Sequence, residues 1–213
     1  MTRPRGRPSV GAGVTQEDIL ATALTLLDEG GGQGLTLRSL ADRLDVTPMS
    51  LYRHVGDQAG LMRALSDRVY AGVMACPRRP SDPRSEIQAL LTRFHQAVGR
   101  HPQLTMAVFA TPQALAGATQ QITARLTALL ADITTEPVLW RDLLVDHAHG
   151  SGLALAAVRS DPKQARALRS RYRQALTRLL GCLTSTAPQP CAASPKRHDK
   201  PARPGHNQSQ GRA

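Results

Sequence analysis

Aromatic residues are almost missing from this 213-residue chain: one tryptophan, three tyrosines and two phenylalanines make up 3 % of it. A core this poor in rings must be filled by leucine and alanine. Those residues also lead the helix-propensity ranking, and runs of β-branched residues are scarce, so an all-α fold is expected. No apolar run approaches the roughly 18 residues that suggest a membrane span. The opening "MTRPRGRPSVGAG" carries positive charge but no apolar segment, so it is not expected to act as a secretory signal. Cysteine is scarce too. Cys76, Cys182 and Cys191 are widely spaced with no CxxC, which fits reduced thiols in a cytosol rather than a disulfide framework or a zinc site. The phosphate-binding patterns GxGxxG and GxxxxGK[ST] are absent, and "GGGQGL" follows no strand, so it reads as a loop.

What is abundant is positive charge, +11 in all, but it is unevenly placed. Residues 1–14 carry +3, residues 15–72 carry −3, residues 73–184 carry +7 and residues 185–213 carry +4. The segment whose pattern best suits nucleic acid is therefore slightly acidic. Bulk charge cannot make the case, and local placement has to.

Helix starts are clearly punctuated. Thr15 precedes "QEDILATALTLLDEGG", with Asp18 at the capping-box position and Ile19, Ala23, Leu26 and Leu27 at helical spacing. Thr36 opens "LRSLADRLD", with Leu37, Leu40, Ala41 and Leu44 on one face. Thr47-Pro48, Asp82-Pro83, Thr111-Pro112 and Asp161-Pro162 each place a capping residue before a proline at the first helical position. Helices are expected near 15–30, 36–44, 48–55, 58–75, 83–100, 103–109, 112–131, 137–157 and 162–183. After Ser185 there is almost nothing apolar to bury, so that tail is expected to be disordered.

The short stretch "DVTPMSLYRHV", Asp45 to Val55, follows another short helix across "DV", as in a helix-turn-helix. On a helical wheel Leu51 and Val55 point inward, while Met49 and Arg53 fall opposite, flanked by Ser50 and Tyr52. That outer face holds a guanidinium, a phenol, a hydroxyl and a thioether, and no carboxylate. Arginine can pair with guanine edges or phosphate, and methionine or proline can meet a thymine methyl. Hydroxyls and the free N–H groups of the helix start suit phosphate oxygens. By periodicity alone, an ordinary solvated surface helix fits equally well.

The residues themselves narrow the choice. "LTLRSLADRLDVTPMSLYRHVGDQAGLMRAL", Leu35 to Leu65, resembles the DNA-binding signature of tetracycline-repressor (TetR) family regulators, with their L-T-x-R-x-L-A-x-x-L-x-V and S/T-L-Y-x-H-V runs. The "RHV" ending is most similar to the branch that contains the tetracycline repressor itself. The resemblance covers about residues 15–72. It implies an N-terminal three-helix DNA-binding domain over 15–72, joined by a linker helix to a helical ligand-binding and dimerisation domain over 73–184. A basic arm (1–14) and a basic tail (185–213) flank them. DNA contacts are implied for Arg38, Thr47, Pro48, Met49, Ser50, Tyr52, Arg53 and His54, although a packing role suits His54 as well. Two positions depart from the family pattern. Asp45 stands where the turn usually has glycine, and aspartate tolerates a left-handed backbone better than most residues. Gln58 stands where a lysine often touches phosphate, which leaves that contact neutral and the arm "RPRGRP" to compensate.

In the C-terminal half, Ala165, Leu168, Tyr172, Ala175, Leu179 and Cys182 step by three and four, with Leu176, Leu180 and Leu183 as a second line beside them. One stripe is expected to face the chain's own core and the other a partner; a single monomeric core is the alternative. In "HAHGSGLALAA", Ala148, Gly150, Gly152, Ala154 and Ala156 are small enough to admit a closely packed helix. The family pairs its last two long helices into a four-helix bundle, and a two-fold dimer would read a palindromic operator. The resemblance also implies a pocket for a small-molecule effector, with Phe94, His95, His101, Met106, Phe109, Gln113, Trp140 and His147 as candidates; each alone is as readily core or surface. Asp142, Asp146 and His149 share a helix face that reads as a solvated stripe, and His147 diverges from His149, so no metal or other cofactor is expected.

The function expected is a ligand-responsive, cytoplasmic DNA-binding regulator, a repressor released by its effector. The rivals are a helical enzyme using His95 or the His147 region as base, and an interaction module that binds no DNA. No nucleophile elbow or paired Cys/His spacing supports the first, and the second must explain away residues 35–65.

Overall fold

The computed structural model describes residues 13–30, 34–75, 82–111 and 117–183, and among these the regular structure is helical throughout. The elements are α1 (Gln16–Glu29), α2 (Leu37–Leu44), α3 (Pro48–Val55), α4 (Gln58–Met74), α5 (Pro83–Arg100), α6 (Pro102–Phe109), α7 (Ala118–Ala131), α8 (Pro137–Ala157) and α9 (Pro162–Cys182). The arm to residue 12, the tail from residue 184, Cys76 and Cys191 lie outside the described residues.

Capping chemistry explains most of the boundaries. Thr15 and Asp18 close a reciprocal capping box on α1, and Thr36 and Ser39 do the same on α2. The carboxylates of Asp57, Asp82 and Asp161 accept first-turn N–H groups of α4, α5 and α9. Proline occupies the first position of α3, α5 and α9, and also of α6 and α8.

One start is misplaced by the sequence pattern. The helix expected from residue 112 begins at Ala118, after Gly117 at φ 64°, ψ −125°. Residues 112–116 lie outside the described residues. The start of α7 is fixed from a distance: Asp67 of α4 accepts the Ala118 N–H at 2.6 Å, and a Cβ on Gly117 would lie 2.1 Å from that same carboxylate.

Two hydrophobic cores result. The first gathers α1, α2, α3 and the start of α4 around Ile19, Leu27, Leu40, Leu51, Leu61 and Leu65, and α6 adds Leu104 and Val108 to it. The second joins Tyr70 and Val73 of α4 to Leu91 and Phe94 of α5, Ile122 and Leu126 of α7, Leu144 of α8, and Tyr172 and Leu176 of α9. Val69 packs against both. Helix α4 is thus common to the two cores.

The two stripes of α9 do not separate as the spacing suggested. Its buried face takes Ala165 and Tyr172 from one and Leu176, Leu180 and Leu183 from the other. Leu168, Ala175 and Leu179 are half-buried along its edge, and Cys182 is exposed. The small residues of α8 divide likewise. Gly152 faces the chain's own α5, where a Cβ would lie 2.6 Å from Val98 Cγ1 and 3.1 Å from the His95 carbonyl. Gly150 and Ala154 are exposed instead.

Candidate nucleic-acid interface and internal cavity

The turn between α2 and α3 aims the second helix. Asp45 adopts φ 52°, ψ 46°, the only positive φ of a non-glycine residue among those described. Its N–H and that of Val46 reach back to the Asp42 and Ala41 carbonyls, closing α2 in one residue. Leu51 and Val55 then anchor α3 in the first core.

The opposite face of α3 is open. Met49 is 70 % and Tyr52 48 % exposed. Thr47, Pro48, Arg53 and His54 are exposed, Ser50 is half-buried, and Arg38 projects from α2. His54 therefore does not pack inward. The guanidiniums of this region sort into committed and uncommitted ones. Arg43 is held by Glu29 at 2.8 Å, and Arg68 is paired with Glu17. Arg38 and Arg53 have no ion-pair partner among the described residues.

Two polar side chains differ from expectation. Thr47 sits at the N-cap of α3 but makes no side-chain cap; its hydroxyl lies 3.1 Å from that of Ser50. The first-turn N–H end of α3 therefore carries no side-chain acceptor, which keeps it available to an external anion. Replacing Thr47 by alanine should accordingly leave unfolding within about 0.5 kcal/mol of the parent, as an uncapped surface position does. Urea titration of the two proteins checks it, and a loss near 1 kcal/mol would mean a cap exists in solution. Gln58 is turned inward: its Nε2 donates to the Leu35 carbonyl at 2.9 Å, bracing the entry to α2 rather than reaching outward.

The effector candidates are dispersed. Phe94 and Phe109 line a partly open cavity of about 180 Å³, together with Tyr70, Thr105, Val108, Thr119, Ile122, Thr123, Val145 and His149. Five others stand elsewhere. His95 is 1 % exposed, stacked on Tyr172 at 3.9 Å with Nε2 3.2 Å from the Ser151 hydroxyl. Burial pushes its pKa down to about 4, against the smaller opposing effect of the bond to Ser151. His147 stacks on the same Tyr172, with ring centroids 5.2 Å apart. His101 precedes α6 at its N-cap, Met106 is exposed, and Trp140 packs on the second core. Gln113 lies outside the described residues. His149, read from sequence as part of a solvated stripe, is instead half-buried between Phe94 and Phe109, with ring centroids 5.0 and 4.8 Å away. Burial lowers its pKa, with Asp146 opposing.

Comparison with known proteins agrees with this architecture. Residues 19–65 match the family model described as bacterial regulatory proteins, tetR family. No curated relative matches the chain. Among solved structures, BioQ of Mycobacterium smegmatis aligns at TM-score 0.67 and 22 % identity, over 81 % of this chain and 98 % of that one. The transcriptional regulator SCO7222, a TetR from Streptomyces coelicolor, aligns at 0.65 and 23 %, over 82 % and 100 %. The Q116A form of TetR from Acinetobacter baumannii aligns at 0.62 and 22 %, over 81 % and 97 %. These identities speak to fold, and the matched segment is the one that holds α2, the Asp45 turn and α3. With α2, the Asp45 turn and α3 inside the matched segment, residues 19–65 are a domain of the kind described as bacterial regulatory proteins, tetR family, on a fold that the whole described chain shares with the solved regulators.

Proposed function

We propose that this protein is a dimeric, cytoplasmic transcriptional repressor that reads a palindromic operator through α3 and leaves it when a small molecule occupies the C-terminal half. The observation that carries the reading is the outer face of α3 and α2. There Arg38 and Arg53 are exposed beside Tyr52, Ser50 and Met49 with no ion-pair partner among the described residues, while Arg43 and Arg68 are bound to carboxylates. Residues 15–72 form the reading domain in this proposal and residues 73–184 the effector and dimer domain. Arg38, Thr47, Pro48, Met49, Ser50, Tyr52, Arg53 and His54 meet DNA, and Gln58 acts by positioning α2. A BioQ structure of the same fold, aligned at TM-score 0.61, holds its double-stranded DNA operator, and the Acinetobacter protein holds minocycline. The same two kinds of partner suit this chain.

Dimerisation is supported by α8. Leu139 and Leu143 are exposed, Gly150 and Ala154 continue their face two and three turns beyond, and nothing among the described residues covers the row. A two-fold pair buries it and doubles the reading head. No helix among the described residues is long and apolar enough to cross a membrane. Regulators of the tetR family are generally non-enzymatic, and the burial of His95 in the core against Tyr172 leaves it poorly placed to act as a base.

A gel shift with DNA from upstream of the gene, repeated at rising salt, tests the proposal: a specific, salt-weakened complex is expected. Absence of any complex at low salt would overturn it. Arg53→Ala should then cost about 1–3 kcal/mol of operator affinity and relax preference at one position per half-site, with melting unchanged because the side chain supports nothing internal. An equal loss on all sequences would make it a phosphate contact.

A further inference from the structure

The cavity between α4, α5, α6, α7 and α8 has a distinct chemistry. None of its ten lining residues is a lysine, arginine, aspartate or glutamate. A charged guest would give up its hydration there with no counter-charge, which disfavours it strongly. The volume of about 180 Å³ is below the range of about 300–1,000 Å³ usual for drug-sized ligands. It is close to the roughly 150 Å³ apolar cavities that stay dry and admit a benzene ring. The walls are flat: Tyr70 and Phe94 have ring centroids 5.5 Å apart, and Phe94 and Phe109 both present themselves edge-on to His149.

Polarity is equally specific. The Tyr70 hydroxyl is engaged with that of Thr105, which also bonds the His101 carbonyl. Thr123 bonds carbonyls of its own helix. Nδ1 of His149 is buried and has no partner within the chain. A buried ring nitrogen in this condition calls for one hydrogen-bonding group on whatever fills the space. A hydroxyl serves either tautomer, donating to a bare nitrogen or accepting from an N–H.

We infer that the effector is a neutral, flat aromatic molecule of one or two fused rings bearing a single hydroxyl, packed against Tyr70, Phe94 and Phe109 and hydrogen-bonded to Nδ1 of His149. The inference rests on the reading of the chain as a ligand-responsive regulator. Its position also suits that role. Tyr70 belongs to α4, and Val108 of α6 lines the cavity while packing in the first core, so a guest presses on both elements that connect to the reading head.

Calorimetric titration of the full chain with 2-naphthol, naphthalene and 2-naphthoate tests it. 2-Naphthol should bind, naphthalene about tenfold more weakly for want of one hydrogen bond, and 2-naphthoate not measurably. His149→Leu, checked for an unchanged melting profile, should erase the preference for naphthol over naphthalene. Val145→Phe should block both by filling the cavity. No naphthol binding, naphthoate binding as tight as naphthol, or an undiminished preference in His149→Leu would each overturn the inference. The comparison of three ligands on the parent protein stands even if a variant fails to fold. The operator gel shift on the same preparation separates the two readings. Operator bound without naphthol binding overturns the effector class alone, and naphthol binding without any operator complex overturns the regulatory reading.

Discussion

Gly60→Ala should destabilise the protein by about 3 kcal/mol, the upper part of the range for overpacking, which is roughly 6–12 °C in melting temperature for a chain of this size. Gly60 stands in the first turn of α4, its N–H accepted by the Asp57 carboxylate at 2.7 Å. A Cβ there would lie 2.0 Å from the carbonyl oxygen of Val55 and 3.2 Å from its carbon. The obstacle is backbone, so no side-chain rotation can relieve it. Either the end of α3 or the start of α4 must move, and Val55, Leu51 and Leu61 are locked in one core. The gain of about 1 kcal/mol that alanine brings over glycine inside a helix offsets only part of this. Because the displaced carbonyl belongs to Val55, the last residue of α3, operator affinity should fall more than in Arg53→Ala although the side chains on the outer face of α3 are all kept. Chemical denaturation and the gel shift, run side by side, check both claims. A stable variant that binds normally would mean that the α3–α4 junction is looser than its geometry indicates.

How much of this was legible in the sequence depends on where each cause lies. Local causes could be read. Thr15 with Asp18, and Thr36 with its following turn, announced α1 and α2, and α3 occupies the span expected from Thr47-Pro48 to Val55. The left-handed Asp45 follows from one residue's conformational tolerance. The inward direction of Leu51 and Val55 is a property of helical periodicity, and burial obeys it. Causes that act across the fold could not be read. The beginning of α7 depends on Asp67, fifty-one positions earlier, and the Thr111-Pro112 pattern pointed elsewhere. Whether a small residue on α8 serves the chain's own α5 or an outside helix is decided by which face α5 covers; this separates Gly152 from Gly150. The cavity is hardest of all, because five helices contribute to it. A wheel that grouped His149 with Asp142 and Asp146 assigned all three to solvent. The half-burial of His149 comes from Phe109, on a helix the wheel does not include. The residue type that would have signalled it is a histidine bordered by small and apolar neighbours, a pattern His147 shares.

Acidification should weaken the fold well before its carboxylates titrate, and His95 is the main reason. Its ring is sealed between α5, α8 and α9, stacked on Tyr172 with an angle of 7° between planes, and it meets the Ser151 hydroxyl. Burial disfavours the imidazolium, and the charges of His147 and Arg169 add to the effect, outweighing the hydrogen bond to Ser151; the pKa falls from 6.5 to about 4. The unfolded chain therefore binds this proton more readily than the native one. Stability from this group is complete above about pH 6.5 and is lost as pH falls toward 4, a total of about 3 kcal/mol at 1.36 kcal/mol per unit. His101 and His149 are shifted in the same direction by burial and steepen the same window. Asp18, held low by Thr15, and Asp82, held low by Ser85, belong to a separate and more acidic range. Urea midpoints measured from pH 7.5 to 4 should decline through the histidine window. In His95→Phe, which keeps a flat ring against Tyr172 and cannot take up a proton, the decline should be much shallower. An unchanged slope in that variant would show that the acid sensitivity originates elsewhere.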